Sequence, residues 1–207
     1  SENLGVTRVT LRQALQLLSA EGLLVRKQGS GNYIAEPKIE RTTTRLTPFT
    51  MGMKQSGFAP GARVILLDSR PAKVSVAGRL QVAVSSELIY CHRIRLVNNQ
   101  PIMVEKFYLP ASFFPGFGSL DLENVSVYAT LEKNYHVKVM RAEQSIEAVA
   151  ASDYEAELLD ISAGTPLLLE RRLSFDQKNR PVEYAKDLYR GDRFKFLLET
   201  SISESED

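Results

Sequence analysis

Arginine and glutamate side chains at strand spacing are the groups in this 207-residue chain best placed to do chemistry. Arg93 and Arg95 stand two apart in the run Leu88–Val97, LIYCHRIRLV. Its β-branched and apolar residues predict a strand, so both guanidiniums point to one face. Glu105 falls on the facing run Ile102–Leu109, beyond the turn Asn98-Asn99-Gln100-Pro101. Two guanidiniums side by side repel unless an anion lies between them. Glu105 could supply part of that charge, and a bound phosphate or carboxylate the rest through bidentate hydrogen bonds. A cross-strand Arg–Glu pair on an exposed face accounts for the same residues, and the sequence leaves both readings open.

Other chemistries find little footing. His92 and His136 are the only histidines and have no metal-ligand spacing. His92 adjoins Arg93 on the strand and therefore faces away from the Arg93/Arg95 side. Cys91 is the only cysteine, which rules out an internal disulfide and a thiolate cluster. It shares a face with Arg93, which would lower its pKa, whereas burial would leave it inert. There is no Gly-x-Ser-x-Gly elbow, phosphate-loop motif or paired-carboxylate signature. No catalytic residue, metal or cofactor is expected.

A second group of polar residues lies in Gly5–Ile34, GVTRVTLRQALQLLSAEGLLVRKQGSGNYI. Thr7 is a candidate N-cap, and Leu11, Ala14, Leu15 and Leu18 form the apolar stripe of a helix. Gly22 stops it. Leu23–Val25 and Tyr33–Ile34 read as strands around the basic, glycine-rich tip Arg26-Lys27-Gln28-Gly29-Ser30-Gly31. Helix, glycine stop and basic hairpin outline the second half of a winged helix-turn-helix. A recognition helix enters the major groove by its N-terminal end, which here carries Thr7, Arg8, Thr10 and Arg12.

Composition agrees with a reader domain joined to a larger body. Hydrophobic residues make up 43% and charged residues 25%, as in globular proteins, and the net charge is +1. The charge is uneven: residues 1–47 carry a net +3 and the remainder −2. No stretch resembles a membrane span, and there is no signal peptide, so a cytoplasmic protein is expected. Residues 36–47, EPKIERTTTRLT, read as a linker, and Ser201–Asp207 as an acidic tail.

The elements that must position the body's charges run from Pro48. Helices are predicted over Thr50–Gly57, Val74–Val84, Ser126–Tyr135 and Ser152–Leu159, and strands over Ala62–Asp68 and Val137–Ala150. Leu167–Phe175 and Val182–Tyr189 form a second hairpin about Asp176–Pro181. The two hairpins resemble each other, with turn prolines Pro101 and Pro181, and predict a pseudo-duplicated α+β unit with a mainly antiparallel sheet.

Residues 3–35 resemble the DNA-binding head of the GntR family of bacterial transcription regulators, in its HutC branch. The resemblance rests on Leu4-Gly5-Val6-Thr7-Arg8-Val9-Thr10-Leu11-Arg12, Glu21-Gly22-Leu23-Leu24 and Gly29-Ser30-Gly31. It implies operator contacts from Thr7, Arg8, Thr10 and Arg12 on the helix and from Gln28 and Gly29 on the wing. The family head has an N-terminal helix and a Pro-Ser-Glu-Arg stretch before this point, so the head is expected to be partial.

Residues 46–199 are similar to that branch's effector-binding UTRA domain, of chorismate-lyase fold. The markers are Leu46-Thr47-Pro48-Phe49-Thr50, His92-Arg93-Ile94-Arg95-Leu96, Pro101-Ile102-Met103-Val104-Glu105, Ser126-Val127-Tyr128, and Pro181-Val182-Glu183 followed by Tyr189-Arg190. By resemblance, Thr50, Arg93, Arg95, Ser126 and Tyr128 hold a phosphate, Glu105, Glu183 and Tyr189 face a sugar, and Phe49 belongs to the same site.

The expected protein is thus a partial winged-helix head (1–35), a linker (36–47), a UTRA domain (48–200) and a tail (201–207). It would act as a homodimeric, non-enzymatic regulator, with repression relieved by a small anionic effector such as a sugar phosphate. The alternatives are a lyase-like enzyme acting on a small carboxylate, and a regulator sensing urocanate or a fatty acid.

Overall fold

The structure, a computed structural model, describes residues 5–27, 31–34, 36–42, 46–123 and 125–200. The chain divides into two compact units, residues 1–39 and 40–207.

In the first unit, α1 (Arg8–Ala20) starts where Thr7 turns extended and its hydroxyl accepts the Thr10 amide at 3.1 Å. The helix ends in a Schellman motif. Gly22 adopts φ +72°, the Gly22 amide donates to the Ser19 carbonyl, and the Leu23 amide donates to Leu18. Only glycine reaches that conformation without strain. β1 (Leu24–Lys27) and β2 (Gly31–Ile34) then pair antiparallel, slightly longer than predicted. Leu11 and Leu15 of the apolar stripe are half-buried, while Ala14 and Leu18 are exposed.

The second unit is built on a six-stranded antiparallel sheet of order β4-β5-β6-β9-β8-β7. Its strands are β4 (Pro60–Pro71), β5 (Glu87–Val97), β6 (Gln100–Pro110), β7 (Val139–Ala150), β8 (Pro166–Asp176) and β9 (Pro181–Arg190). The order reflects a repeat. β4–α3–β5–β6, with α3 at Val74–Leu80, and β7–α5–β8–β9, with α5 at Asp153–Leu159, are each a long strand, a short helix and a hairpin. The two hairpins meet at the centre as β6 and β9.

Local chemistry fixes these units. Asn98 and Asn99 both take positive φ, 50° and 64°, as a two-residue type I′ hairpin turn requires. In the second hairpin, Asp176 accepts the Lys178 and Arg180 amides. The helix predicted over Val74–Val84 stops at Leu80 because Gln81 turns left-handed. Asp160 does the same after α5, which a Ser152/Glu155 capping box opens.

Helices cover both faces. α3 packs Ala77 and Leu80 on Leu88 and Tyr184, and α5 packs Ala156 and Leu159 on Val104 and Leu167. On the opposite face α4 (Val127–Tyr135) contributes Val127 and Leu131 to a core with Cys91, Phe107, Phe114 and Phe117. The predicted linker contains a strand, β3 (Ile39–Thr42), which pairs with β10 (Phe194–Leu197). α2 (Phe49–Gln55) follows it. No helix among the described residues is long and apolar enough to cross a membrane.

Candidate functional site

Strand register puts an unusual row of charges across the middle of the sheet. Arg93 lies opposite Glu105, Glu105 opposite Asp187, and Asp187 opposite Glu170. Successive strands in register present these side chains on one face. Three carboxylates in adjacent strands would repel one another, and each is buried. The cations that offset them are Arg93, Arg95 and Arg172 on the sheet itself and Arg41 on β3.

Arg93 donates through Nε to Glu105 and through Nη1 to the Leu122 carbonyl at 2.7 Å. Arg95 Nη2 donates to the Thr50 hydroxyl at 2.9 Å, its Nη1 stands 3.8 Å from Glu105, and the guanidinium lies 4.5 Å from the Phe49 ring centre. Arg172 bridges three carboxylates: Asp187 at 2.9 Å, Glu170 at 3.2 Å and Glu183 at 3.4 Å. Arg41 donates to the Tyr189 hydroxyl, which donates to Glu170 at 2.9 Å. Tyr128 donates to Glu183 at 2.7 Å and also meets Ser174. Ser126 caps α4, accepting the Ala129 amide.

The nine body residues expected from the sequence therefore converge. Phe49, Thr50, Arg93, Arg95, Glu105, Ser126, Tyr128, Glu183 and Tyr189 all line one pocket. So do Arg41, Arg172 and Asp187, which sequence reasoning missed. Asp187 carried a readable signal, since it shares strand parity with Glu183 and Tyr189. The cavity is small, about 30 Å³, room for one or two waters. Two of the residues that line it each have a buried polar atom without a hydrogen-bond partner, Nε of Arg95 and Oδ1 of Asp187.

Burial and charge set the protonation of the site. Burial pushes Glu105 up, but Arg93 and Arg95 outweigh it and hold the carboxyl at about 2. Burial brings Arg95 down to about 10, still cationic at neutral pH. Burial pushes the Cys91 thiol up to about 12 against the pull of Arg93, so the inert reading of this cysteine holds. Burial, crowded by neighbouring carboxylates, likewise raises Asp187.

His92 faces the other side of the sheet, with its ring 6.0 Å from that of Tyr154. Burial, then Lys106 and Arg70, lowers it to about 4 from 6.5. The unfolded chain thus binds the extra proton between these values, and stability falls as pH drops from 6.5 towards 4. At about 1.36 kcal/mol per unit, the loss between pH 7 and pH 5 is about 2 kcal/mol. Urea unfolding at the two pH values should show it, and His92→Gln should remove it.

In the first unit, Thr7, Arg8, Thr10 and Arg12 are exposed on the first turns of α1. The Thr7 hydroxyl also contacts that of Thr10 at 2.9 Å, so both already serve the cap. Gln28 and Gly29 lie outside the described residues.

Comparison with known proteins aligns with both units. Residues 55–195 match the UTRA domain model and residues 1–34 the model for bacterial regulatory proteins of the gntR family. The chain is 35% identical over 200 residues to the HTH-type transcriptional repressor NagR of Bacillus subtilis, covering 95% of this chain and 81% of that protein. It is 26% identical to a probable fructoselysine utilization operon transcriptional repressor of Escherichia coli, covering 94% and 79%. The crystal structure of PhnF from Mycobacterium smegmatis superposes with a TM-score of 0.77 at 29% identity, over 98% of this chain and 88% of that one.

Proposed function

This chain belongs to the GntR family of bacterial transcription regulators that carry a UTRA domain, and on that premise we propose that it is a repressor released from its operator by a small anionic effector, a sugar phosphate, bound in the pocket of residues 40–207. The observation that carries the reading is the unpartnered Nε of a buried, cationic Arg95 on the pocket wall. An anion offers that donor its missing acceptor. The first turn of α4, with Ser126 and Tyr128 at the wall, adds the positive end of a helix dipole. Glu105, Glu183 and Tyr189 would face the sugar. Thr7, Arg8, Thr10, Arg12, Gln28 and Gly29 would meet DNA, and a homodimer would present two heads to two half-sites.

The mechanism is a population shift. The pocket is narrow in this structure, about 30 Å³, and would widen at its wall to take a sugar phosphate. The sheet is braced by neighbours on both sides, whereas Arg41 and residues 46–50 border the pocket from the segment that follows the head in the chain. An effector that claims the Tyr189 hydroxyl competes with Arg41. Displacing Arg41 would pull on β3 and so change operator affinity, with a coupling of about 1–3 kcal/mol, roughly 5- to 150-fold.

The test is fluorescence anisotropy on DNA upstream of the protein's own operon, with and without glucosamine 6-phosphate. Wild type should lose affinity within that range when ligand is added. Arg41→Ala should still bind the sugar phosphate but respond less than twofold. A full response from Arg41→Ala would remove Arg41 from the coupling. An unchanged wild-type affinity at saturating ligand would contradict the proposed release.

A further inference from the structure

Asp187 is held by one oxygen only. Its Oδ2 accepts from Arg172 Nη1 at 2.9 Å, while Oδ1 is buried with no partner, and the residue lines the pocket. The side chain is 1% exposed, and a buried oxygen without a partner is rare. Its position is also costly, because Glu105 and Glu170 flank it across the two neighbouring strands. Like charges directly opposite one another destabilise a sheet. Without Asp187, Arg172 would still keep Glu170 and Glu183 as partners.

From this geometry we infer that Asp187 is a specificity-determining residue whose Oδ1 hydrogen-bonds a hydroxyl on the sugar part of the effector. The inference rests on the anion-pocket reading and adds to it a group that recognises the rest of the ligand. The unpartnered donor of Arg95 and the unpartnered oxygen of Asp187 call for different partners, an anion for one and a polar non-anionic group for the other. A hydroxyl both donates and accepts, so it satisfies Oδ1 whether or not the carboxyl carries a proton. An aliphatic chain would leave Oδ1 unpaired, which sets sugar phosphates apart from fatty acids as ligands.

The experiment compares wild type with Asp187→Ala by calorimetry, using glucosamine 6-phosphate and inorganic phosphate as probes. We expect about a 10- to 100-fold loss of affinity for the sugar phosphate, the effect of about 1.4–2.8 kcal/mol, and less than a twofold change for phosphate. Equal losses for both probes, or no loss for either, would overturn the role of Asp187 while leaving the anion pocket in place. Failure of the wild type to bind either probe would remove the pocket reading and this inference with it. Should the variant not fold, a crystal structure of wild type with glucosamine 6-phosphate decides. A sugar hydroxyl within about 3.2 Å of Oδ1 is expected, and an Oδ1 with no ligand partner refutes it.

Discussion

Arg95→Met should weaken binding of glucosamine 6-phosphate by about 100-fold or more while leaving the domain folded. Arg95 has one weak charge contact, to Glu105 at 3.8 Å, one hydroxyl partner, Thr50, and one unpartnered nitrogen. Its removal leaves Glu105 tied to Arg93, so no buried charge is stranded. Methionine fills the stem's space against Phe49. A bidentate pair to phosphate comprises two charge-assisted bonds of about 1.5–3 kcal/mol each, which supports a loss of at least 100-fold. Calorimetry gives the affinity, and urea unfolding should show a stability change under about 2 kcal/mol. Unaltered affinity in a folded Arg95→Met protein would mean that the anion binds elsewhere.

Arg93→Ala should instead unfold the domain, at a cost of about 3–5 kcal/mol. The two arginines look equivalent in sequence and are not equivalent in the fold. Arg93 is 1% exposed and spends its donors on Glu105 and the Leu122 carbonyl. Without it Glu105 remains buried beside Asp187, with Arg95 the nearest cation. The same pair predicts an acid transition. Glu105 titrates at about 2 when folded and at 4.5 when free. Its folded pKa is depressed, so its contribution is complete above pH 4.5 and is lost as pH falls towards 2. A thermal melt of Arg93→Ala close to that of wild type would show that the pair is dispensable.

What could be read from the sequence divides along physical lines. Strand parity placed Arg93 and Arg95 on one face, but Glu105 lies opposite Arg93 only because a bulge at Ile102 shifts the register that the asparagine turn sets. The first is a local property carried by alternation; the second depends on a one-residue bulge, which alternation does not announce. The family resemblance supplied Thr50, Ser126, Tyr128, Glu183 and Tyr189, which come from three other elements, α2, α4 with its cap, and β9. No local pattern says that β6 will lie beside β9, yet that pairing brings Asp187 against Glu105. Arg172 was hidden for the same reason. β3 was missed because Ile-Glu-Arg-Thr has almost no hydrophobic signal and its partner, β10, lies about 150 residues away. Arg41 lies on that strand. Helix α3 ends at Leu80, short of the predicted Val84, because its left-handed stop falls on a glutamine rather than a glycine.

Effector and operator compete for one protein in this scheme, and linkage makes that competition measurable from the ligand's side. Glucosamine 6-phosphate should be titrated calorimetrically into the protein alone and into the protein saturated with its operator DNA. DNA should weaken binding of the sugar phosphate by the same factor by which the sugar phosphate weakens binding of DNA, about 5- to 150-fold. Identical affinities in the two titrations would contradict it.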